Sequence, residues 1–572
     1  MKNQIKSILS LILLILVFAC AKQMPPRGGP EDKTPPVIVN ISPVPGATNV
    51  PTDTKIEITF SERMSSKTVE EAFFISPLPA EDIFFKWRNK KLRIEFSDTL
   101  KTNRTYVLTI GTKASDMRNN KLADSYSLAF STGEKIDDGQ ISGTVYDPAG
   151  AEGTLVCAYQ LINDIEPNPE EVFADYYTQC NQQGVYNLMY AAPGRYRLFA
   201  INDRDGDRKY TLGLDAVGVA GTEVLLSPEN KSVSDICFQM SVEDTVLLFL
   251  KSAYSIDRSK IDIRFNEAVK KFNNDQPENY FRITAESDSS EFLEIINCYL
   301  DSRDLSVVHL ITEDQSEIPY NIRVFNLFDR NGLGLDTTYD SIVFDGSAMP
   351  DTIKPSIVFQ SLSDSTSDIK PDSAFQVIFS EAMNKISFEN NFVFTNQNND
   401  TIAGNFQWKN PTDVAFIPDS ILSYKTGYQI TIPVDSIKDS FGNSLKDSIL
   451  SIYFETLSED TLTSISGNIA DEDTNGIGKI FLYAASNQNK YARIIDKPGS
   501  YLFDKIFPGI YTIYAFRDAD SNGVYSYGKV QPYVPSERFV FYSDSIKVRS
   551  KWSSDGNDII LKSQNQINQY KN

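Results

Sequence analysis

Long stretches of this 572-residue chain recur within it. Residues 34–64 align with residues 353–383 without a gap, at a constant offset of 319 residues. Both copies contain Phe-Ser-Glu-x-Met after an alternating apolar and polar run, and a more divergent third copy has Phe-Asn-Glu-Ala-Val at residues 265–269. Because a repeated sequence builds a repeated structure, the chain must be an array of modules rather than a single core.

The alternation in these copies predicts β-strands. Apolar and polar residues alternate over five to seven positions, and the runs are interrupted by Pro, Gly, Asn and Asp. This period of two is typical of strands with one buried face. Each copy is about 100 residues of short strands, which indicates a β-sandwich.

A second kind of module also occurs twice. Residues 184–213 align with residues 499–528 at a constant offset of 315, and each unit opens with Ile-Ser-Gly, at 141–143 and 465–467. A Pro-Gly pair in each copy predicts a tight turn before a strand. With the first kind called A and the second B, the predicted order is A-B-A-A-B.

These segments resemble known families. Gly-Gly-Pro-Glu-Asp-Lys-Thr-Pro-Pro at 28–36, together with the Phe-Ser-Glu-x-Met strand, resembles lipoproteins of Bacteroidota that carry the SbsA-type bacterial Ig-like domain of S-layer proteins. Module B resembles the carboxypeptidase-regulatory, transthyretin-like β-sandwich. The resemblance is weakest in the third module, where Val269 replaces Met. Such families imply spacers and binding modules in the periplasm or at the cell surface, and a fold alone implies no activity.

We therefore expect an all-β protein of tandem β-sandwich modules in an elongated multidomain chain. The expected segments are a lipoprotein signal peptide (1–19), a tether (20–34), an Ig-like domain (35–134), a carboxypeptidase-regulatory-like domain (138–240), a divergent Ig-like domain (243–347), an Ig-like domain (350–459), a second carboxypeptidase-regulatory-like domain (462–563) and a polar tail (564–572).

The N-terminus predicts the compartment. Lys2 and Lys6 precede an apolar stretch at residues 8–18 that is too short to span a bilayer, as in a signal peptide. It ends in Val-Phe-Ala-Cys, which resembles the lipobox of bacterial lipoproteins and implies acylation of Cys20, including palmitate. Ala21, rather than Asp, favours the outer membrane by the same resemblance. The alternatives are an ordinary signal peptide that ends in Cys and an uncleaved anchor.

Charge limits the partners. The chain has 55 Lys and Arg against 76 Asp and Glu, a formal charge of −21, and removal of Lys2 and Lys6 with the leader makes it −23. Such a field repels phosphates, so we expect no nucleic-acid partner, whereas cations are attracted. The expected partners are the lipid bilayer, through acylated Cys20, and a glycan or an envelope or surface protein.

Asp-rich turns in module B are the candidate metal site. Short oxygen ligands alternate in both copies, as Ca²⁺ prefers; they are Asp203, Asp205 and Asp207, and Asp518, Asp520 and Asn522. The twelfth loop positions are Leu214 and Lys529, which excludes a standard EF-hand. Apart from this candidate Ca²⁺, we expect no cofactor. The alternative is that these side chains only cap tight turns.

The remaining polar candidates favour structural roles. Glu62, Glu267 and Glu381 recur after a strand in three modules, and a catalytic pair is rarely triplicated. Trp87 and Trp408 occupy matched positions and could stack sugars, but core positions are favoured. The single histidine, His309, lies in an apolar run and cannot form an HExxH motif.

Four cysteines remain after Cys20, and an extracytoplasmic compartment permits disulfides. Cys157 and Cys180 lie in one predicted module and are the preferred pair. The alternative is that these cysteines are small buried apolar residues.

Asp-Ser/Thr followed by an aliphatic residue recurs along the chain, as at 244–246 and 351–353. The triplet resembles the O-glycosylation acceptor of Bacteroidota extracytoplasmic proteins. The alternative is that Asp-Ser and Asp-Thr turns precede strands.

Three functions are compatible with this sequence. The first is a non-enzymatic, membrane-anchored lipoprotein that serves as an envelope structural, adhesion or binding array. The second is a carbohydrate-active enzyme, or its accessory subunit, with carboxylates that the sequence does not locate. The third is a stalk stiffened by Ca²⁺.

Overall fold

A computed structural model describes residues 33–79, 82–123, 126–162, 166–446 and 450–563. The signal peptide, Cys20, most of the tether and the polar tail lie outside the described residues. Within the part of the chain that is described, no helix is long and apolar enough to cross a membrane.

The chain divides into two compact units. The first contains the described residues up to Val145, together with Gly150–Phe199 and Val224–Cys237. The second contains Tyr146–Ala149, Ala200–Glu223 and the described residues from Phe238 onward. Nearly all regular structure in both units is β-strand, as the alternation predicts.

The first unit begins with the first Ig-like module. Its elements are β1 (Ile38–Ser42), β2 (Ile56–Phe60), α1 (Ser66–Glu71), β3 (Phe73–Ser76), β4 (Ile83–Arg88), β5 (Lys91–Phe96), β6 (Thr105–Ile110) and β7 (Tyr126–Ser131). One sheet has the order β1-β2-β5-β4 and the other β3-β6-β7. Ile56, Ile58 and Phe60 on β2 are buried, so one face of the strand joins the core.

The described residues between 139 and 242 contain ten strands. They are β8 (Gly139–Tyr146), β9 (Leu155–Gln160), β10 (Tyr176–Gln179), β11 (Val185–Ala191), β12 (Gly194–Asn202), β13 (Ala216–Val219), β14 (Val224–Leu226), β15 (Ser232–Val233), β16 (Phe238–Gln239) and β17 (Ser241–Val242). In the first unit, β9 pairs with β10, β12 with β14, and β8 with β11 and β15. In the second unit, β13 pairs with β17.

The third and fourth modules lie in the second unit. The third contains β18 (Leu250–Ser255), β19 (Lys260–Phe265), a 3₁₀ turn (Pro277–Asn279), β20 (Phe281–Ala285), β21 (Phe292–Leu293), β22 (Ile295–Leu300), β23 (Val307–Thr312), β24 (Pro319–Val324) and β25 (Ser341–Asp345). Its sheets are β18-β19-β23-β22 and β21-β20-β24-β25.

The fourth module contains β26 (Ile357–Gln360), β27 (Thr366–Ile369), β28 (Phe375–Phe379), α2 (Lys385–Glu389), β29 (Val393–Asn396), β30 (Gly404–Asn410), β31 (Asp413–Pro418), β32 (Gly427–Ile432), a 3₁₀ turn (Val434–Ser436) and β33 (Leu450–Thr456). Its sheets are β26-β28-β31-β30 and β27-β33-β32-β29. A 3₁₀ turn (Glu459–Thr461) leads to the fifth module.

The fifth module contains β34 (Thr463–Asp471), β35 (Lys479–Ala485), β36 (Lys490–Ile495), β37 (Gly499–Ile506), β38 (Gly509–Asp518), β39 (Phe539–Phe541), β40 (Ile546–Val548) and β41 (Ile559–Leu561). One sheet is β37-β34-β41, and the other is β36-β35-β38-β39, with β40 also paired to β38.

The Ile-Ser-Gly motif of module B has a steric cause. A Cβ on Gly467 would lie 2.2 Å from the carbonyl oxygen of Asn557, and one on Gly143 would lie 1.9 Å from that of Ile236. The hydroxyl of Tyr501 donates to the same Asn557 oxygen. Only glycine leaves room for this approach of two backbone segments.

The predicted Cys157–Cys180 disulfide is wrong. The β9–β10 register places Cys157 opposite Tyr177, whereas the Cys180 amide bonds to the carbonyl of Thr154. The two cysteines are therefore three residues out of register, about 10 Å along the strands, which is too far for a disulfide. Both are buried, and burial raises the pKa of Cys180 to about 12.

His309 is buried in the third module, on the face of its strand opposite to the core residues Val308 and Leu310. It lies on β23 opposite Asp262 of β19, with its Nδ1 2.6 Å from Asp262 Oδ1 and its Nε2 3.2 Å from Asp301 Oδ2. Burial alone would lower the pKa of His309, but the two carboxylates outweigh burial and raise the pKa above the ordinary 6.5. The doubly protonated imidazolium is therefore the form that this pocket stabilises.

We expect Gly467→Ala to lower the free energy of unfolding by about 1–3 kcal/mol, because the new methyl group overlaps the Asn557 carbonyl. Chemical denaturation of the full chain measures this change. Gly499→Ala is the matched control, because a Cβ there meets nothing within 4 Å. Equal effects of the two substitutions would contradict the steric explanation.

We expect the single histidine resonance in an NMR titration to have a midpoint above 6.5. A folded-state pKa above the unfolded value gives stability that is complete below pH 6.5 and is lost as the pH rises through the folded-state value. Thermal melts should therefore show a fall in stability on the alkaline side of pH 6.5, and His309→Gln should remove that contribution. A midpoint at or below 6.5 would refute the ion pairing.

Candidate metal centres and the binding cleft

Among the described residues of the second unit, four groups of three carboxylates lie close together. In each group one oxygen from every member lies within 4.8 Å of the others. Two groups are in module B turns, Asp203 with Asp205 and Asp215, and Asp518 with Asp520 and Glu537; two are in Ig-like modules, Asp244 with Glu267 and Asp329, and Asp351 with Glu381 and Asp439. Oxygens at this separation can share one Ca²⁺, because Ca–O distances are about 2.3–2.6 Å.

The first turn group is held by backbone amides. Asp215 is fully buried, and its oxygens accept from the amides of Arg204 at 2.9 Å and Thr211 at 2.8 Å. Asp203 accepts from the amides of Gly206 and Arg208. These bonds make the carboxylates caps of a tight turn, which is the alternative stated for this motif.

The second turn group is held in the same way. Asp518 accepts from the amides of Asn522 and Gly523, and Glu537 accepts from those of Ala519 and Ser526. Burial raises the pKa of Glu537.

The sequence identified only part of each turn group. Asp203, Asp205, Asp518 and Asp520 are members, but Asp207 is not. The third carboxylates, Asp215 and Glu537, come from later in the chain and reach the turn only through the fold. They are not at matched positions in the two repeats, so the alignment carried no signal for them.

The recurring strand-end glutamates each meet an aspartate. Glu62 contacts the carboxylate of Asp116 in the first module, and Glu381 belongs to the group that contains Asp439 in the fourth. Burial, with the charge of Asp351 among the neighbouring charges, raises the pKa of Glu381 to about 7. Three modules thus place a glutamate against a loop aspartate, so this position is a repeated structural feature.

The two matched tryptophans hold a short helix. The indole Nε1 of Trp87 donates to Glu70 at 2.8 Å, and that of Trp408 donates to Glu389 at 2.7 Å. Both rings pack against the core of their module. The glutamate partners lie on α1 and α2 at matched positions of the repeat, and no motif in the sequence pointed to them.

A cleft of about 290 Å³ lies where the third and fourth modules meet. Its charged lining residues are Lys270, Lys271, Arg330 and Lys409, together with Asp301, whose Oδ2 lies 3.2 Å from His309 Nε2. Asn410 crosses the junction, with its Nδ2 donating to the carbonyl of Leu300 at 3.0 Å and to Ser302 at 2.9 Å. Four cationic side chains at one cleft on a strongly acidic chain suit an anionic ligand.

The Asp-Thr triplets at 244–246 and 351–353 form turns. Asp244 accepts from the amide of Val246 at 3.0 Å, and Asp351 accepts from that of Ile353 at 2.9 Å. This geometry agrees with the turn interpretation at both places.

Comparison with known proteins identifies two segments. Residues 32–132 and 351–456 match the family model described as a bacterial Ig-like domain. A search of curated proteins finds no significant match.

Solved structures align at low similarity. The N-terminal part of the bacterial S-layer protein SbsC is 14% identical over 36% of this chain and 44% of that structure, with a TM-score of 0.16. An L,D-transpeptidase from Mycobacterium smegmatis is 14% identical over 36% of this chain and 90% of its own length, with a TM-score of 0.14. The chain spans less than half of this N-terminal SbsC structure. The chain is an array of tandem β-sandwich domains, of which two match the bacterial Ig-like family.

Proposed function

We propose that this protein is a non-enzymatic, outer-membrane lipoprotein whose β-sandwich modules serve as a structural, adhesive or binding array in the cell envelope. The observation that carries the proposal is the tandem repetition of β-sandwiches, with two matches to the bacterial Ig-like domain. Repeated sandwiches are suited to spacing and presenting surfaces, because each module folds around its own core.

The lipid anchor is supported by the sequence of the leader. An apolar segment that ends in Ala19-Cys20 and is followed by a polar, Pro- and Gly-rich tether offers a processing site and then a spacer. Two or three acyl chains on Cys20 would hold the protein at the bilayer, since each buried CH₂ contributes about 0.8 kcal/mol.

The carboxylate groups support a non-catalytic role. A glycosidase needs one pair of carboxylates with different tasks in a single site. Here similar groups occur in both copies of module B and in the third and fourth modules. A set of residues that is repeated from module to module fits a part of the scaffold better than one active site.

The cleft between the third and fourth modules supports a binding role. Its lysines and arginine would select a ligand that bears carboxylate or sulfate groups, such as an acidic glycan or an acidic protein surface. The surrounding negative charge of the chain would repel such ligands elsewhere, which confines binding to this cleft.

We expect Cys20→Ala to abolish incorporation of labelled palmitate in the native host and to release the protein from the membrane fraction. Cys237→Ser is the control and should keep the label, because Cys237 lies outside the leader. Palmitate labelling that persists in Cys20→Ala, or a mature chain in the cytoplasm, would overturn the anchoring proposal.

We expect the full chain to bind sulfated or uronic-acid glycans on an array, and Lys270→Glu/Lys271→Glu to reduce that signal at least tenfold, because the two substitutions reverse charge at the cleft. Lys251→Glu is the matched control on β18 of the same module and does not line the cleft. A similar loss in both variants would contradict a role for the cleft, as would the absence of any acidic glycan signal.

A further inference from the structure

The entrance to the third module contains a carboxylate group whose three members come from separate segments of the chain. Asp244 lies in the segment between β17 and β18, Glu267 follows β19, and Asp329 lies in the loop after β24. One oxygen of each lies within 4.8 Å of the other two. The entering segment, a strand end and a loop therefore converge on one point.

One oxygen of this group is buried without a partner. Asp329 is 1% exposed, and its Oδ1 accepts from the amide of Leu333 at 2.7 Å, but its Oδ2 has no hydrogen-bond partner in the described part of the chain. An unpartnered carboxylate oxygen in the interior costs free energy, and the large majority of buried polar groups in proteins are hydrogen-bonded. The other two carboxylates add negative charge beside it.

The matched loops show what Asp329 lacks. In the fourth module Asp439 Oδ2 accepts from the side-chain amide of Asn443 at 2.9 Å, and in the first Asp116 Oδ2 accepts from Asn120 at the same distance. The corresponding fourth residue after Asp329 is Leu333, which has no side-chain donor. The third module therefore keeps the buried aspartate but lacks the asparagine that donates to it in the other two modules.

We propose that Asp244, Glu267 and Asp329 bind a Ca²⁺ ion, which takes the place of the missing amide donor and fastens the entering segment to the third module. Three carboxylates supply oxygen ligands only, which suits a hard cation, and no nitrogen or sulfur donor for zinc belongs to the group. Asn331 orients Asp244 through a 2.7 Å bond from its Nδ2 to Oδ2. Backbone carbonyls and water complete the six to eight ligands that Ca²⁺ takes.

The fourth module offers a weaker version of the same site. Asp351 has a buried oxygen without a partner, but Asp439 is satisfied by Asn443. The positive charge of the buried Lys260 also acts on Glu381 in this group. With part of its negative charge compensated by a lysine, this group should bind Ca²⁺ less tightly than the third-module site.

Calorimetric titration of the EDTA-treated full chain with CaCl₂ tests the proposal. We expect a dissociation constant of about 10⁻⁴–10⁻³ M, as in extracellular calcium modules, and a rise in melting temperature with Ca²⁺. Asp329→Asn should remove one bound Ca²⁺ per chain, or weaken that site at least tenfold. It keeps the shape of the side chain, so the metal-free variant should fold.

A second variant restores the donor. Leu333→Asn reproduces the pair seen in the first and fourth modules, so it should raise the melting temperature of the metal-free chain and weaken the third-module Ca²⁺ site several-fold. Asp288→Asn is the control, an exposed loop aspartate in the same module that bonds to Ser290. The proposal is overturned if no Ca²⁺ binds at 10 mM, or if Asp329→Asn and Leu333→Asn both bind Ca²⁺ as the unmodified chain does.

Discussion

Each module buries one face of each of its sheets. A tyrosine is buried with that face, and its hydroxyl must stay hydrogen-bonded there. In the Ig-like modules the hydroxyls of Tyr106, Tyr320 and Tyr428 accept from backbone amides four or five residues earlier. In the two B modules Tyr196 and Tyr511 donate to the carbonyl four residues earlier. A buried hydroxyl without a partner would be costly, so each ring fixes the turn that precedes its strand.

This local bond explains why short alternating strands suffice. A strand of five or six residues can pair with its neighbour in several registers. A slip of one residue would turn its apolar face to the solvent. The tyrosine ties the start of the strand to the turn, and the sheet partners follow from that register. In module B the glycine of Ile-Ser-Gly adds a second constraint, because two backbones approach where any side chain would collide.

The strands, the repeat and the bulk of the core follow from the alternation of residue types, since that pattern is local and occurs in several copies. The predictions that failed were those that depended on distances between separate elements. Cys157 and Cys180 were predicted to pair because they share a module, but the register of β9 and β10 places them three residues apart. Asp215 and Glu537 were missed because they reach the turn from outside the motif and are not aligned between copies. The bonds from Trp87 to Glu70 and from Trp408 to Glu389 depend on two short helices. Helices of six and five residues leave too little sequence pattern to be predicted.

Divergence within a repeat gives information that a single copy cannot. In two modules an asparagine side chain donates to the buried loop carboxylate, and the third module lacks this donor. Without a partner, the buried carboxylate only costs free energy, so its replacement by another residue would be expected. Asp329 is retained beside two further acids, in the module that departs furthest from the Phe-Ser-Glu-x-Met pattern. The retention makes physical sense if a cation supplies the compensating charge. On this view, part of the negative charge of the chain lies where the entering segment meets the third module, and not only on the solvated surface. There a divalent ion compensates the carboxylate that a side-chain amide compensates in the first and fourth modules.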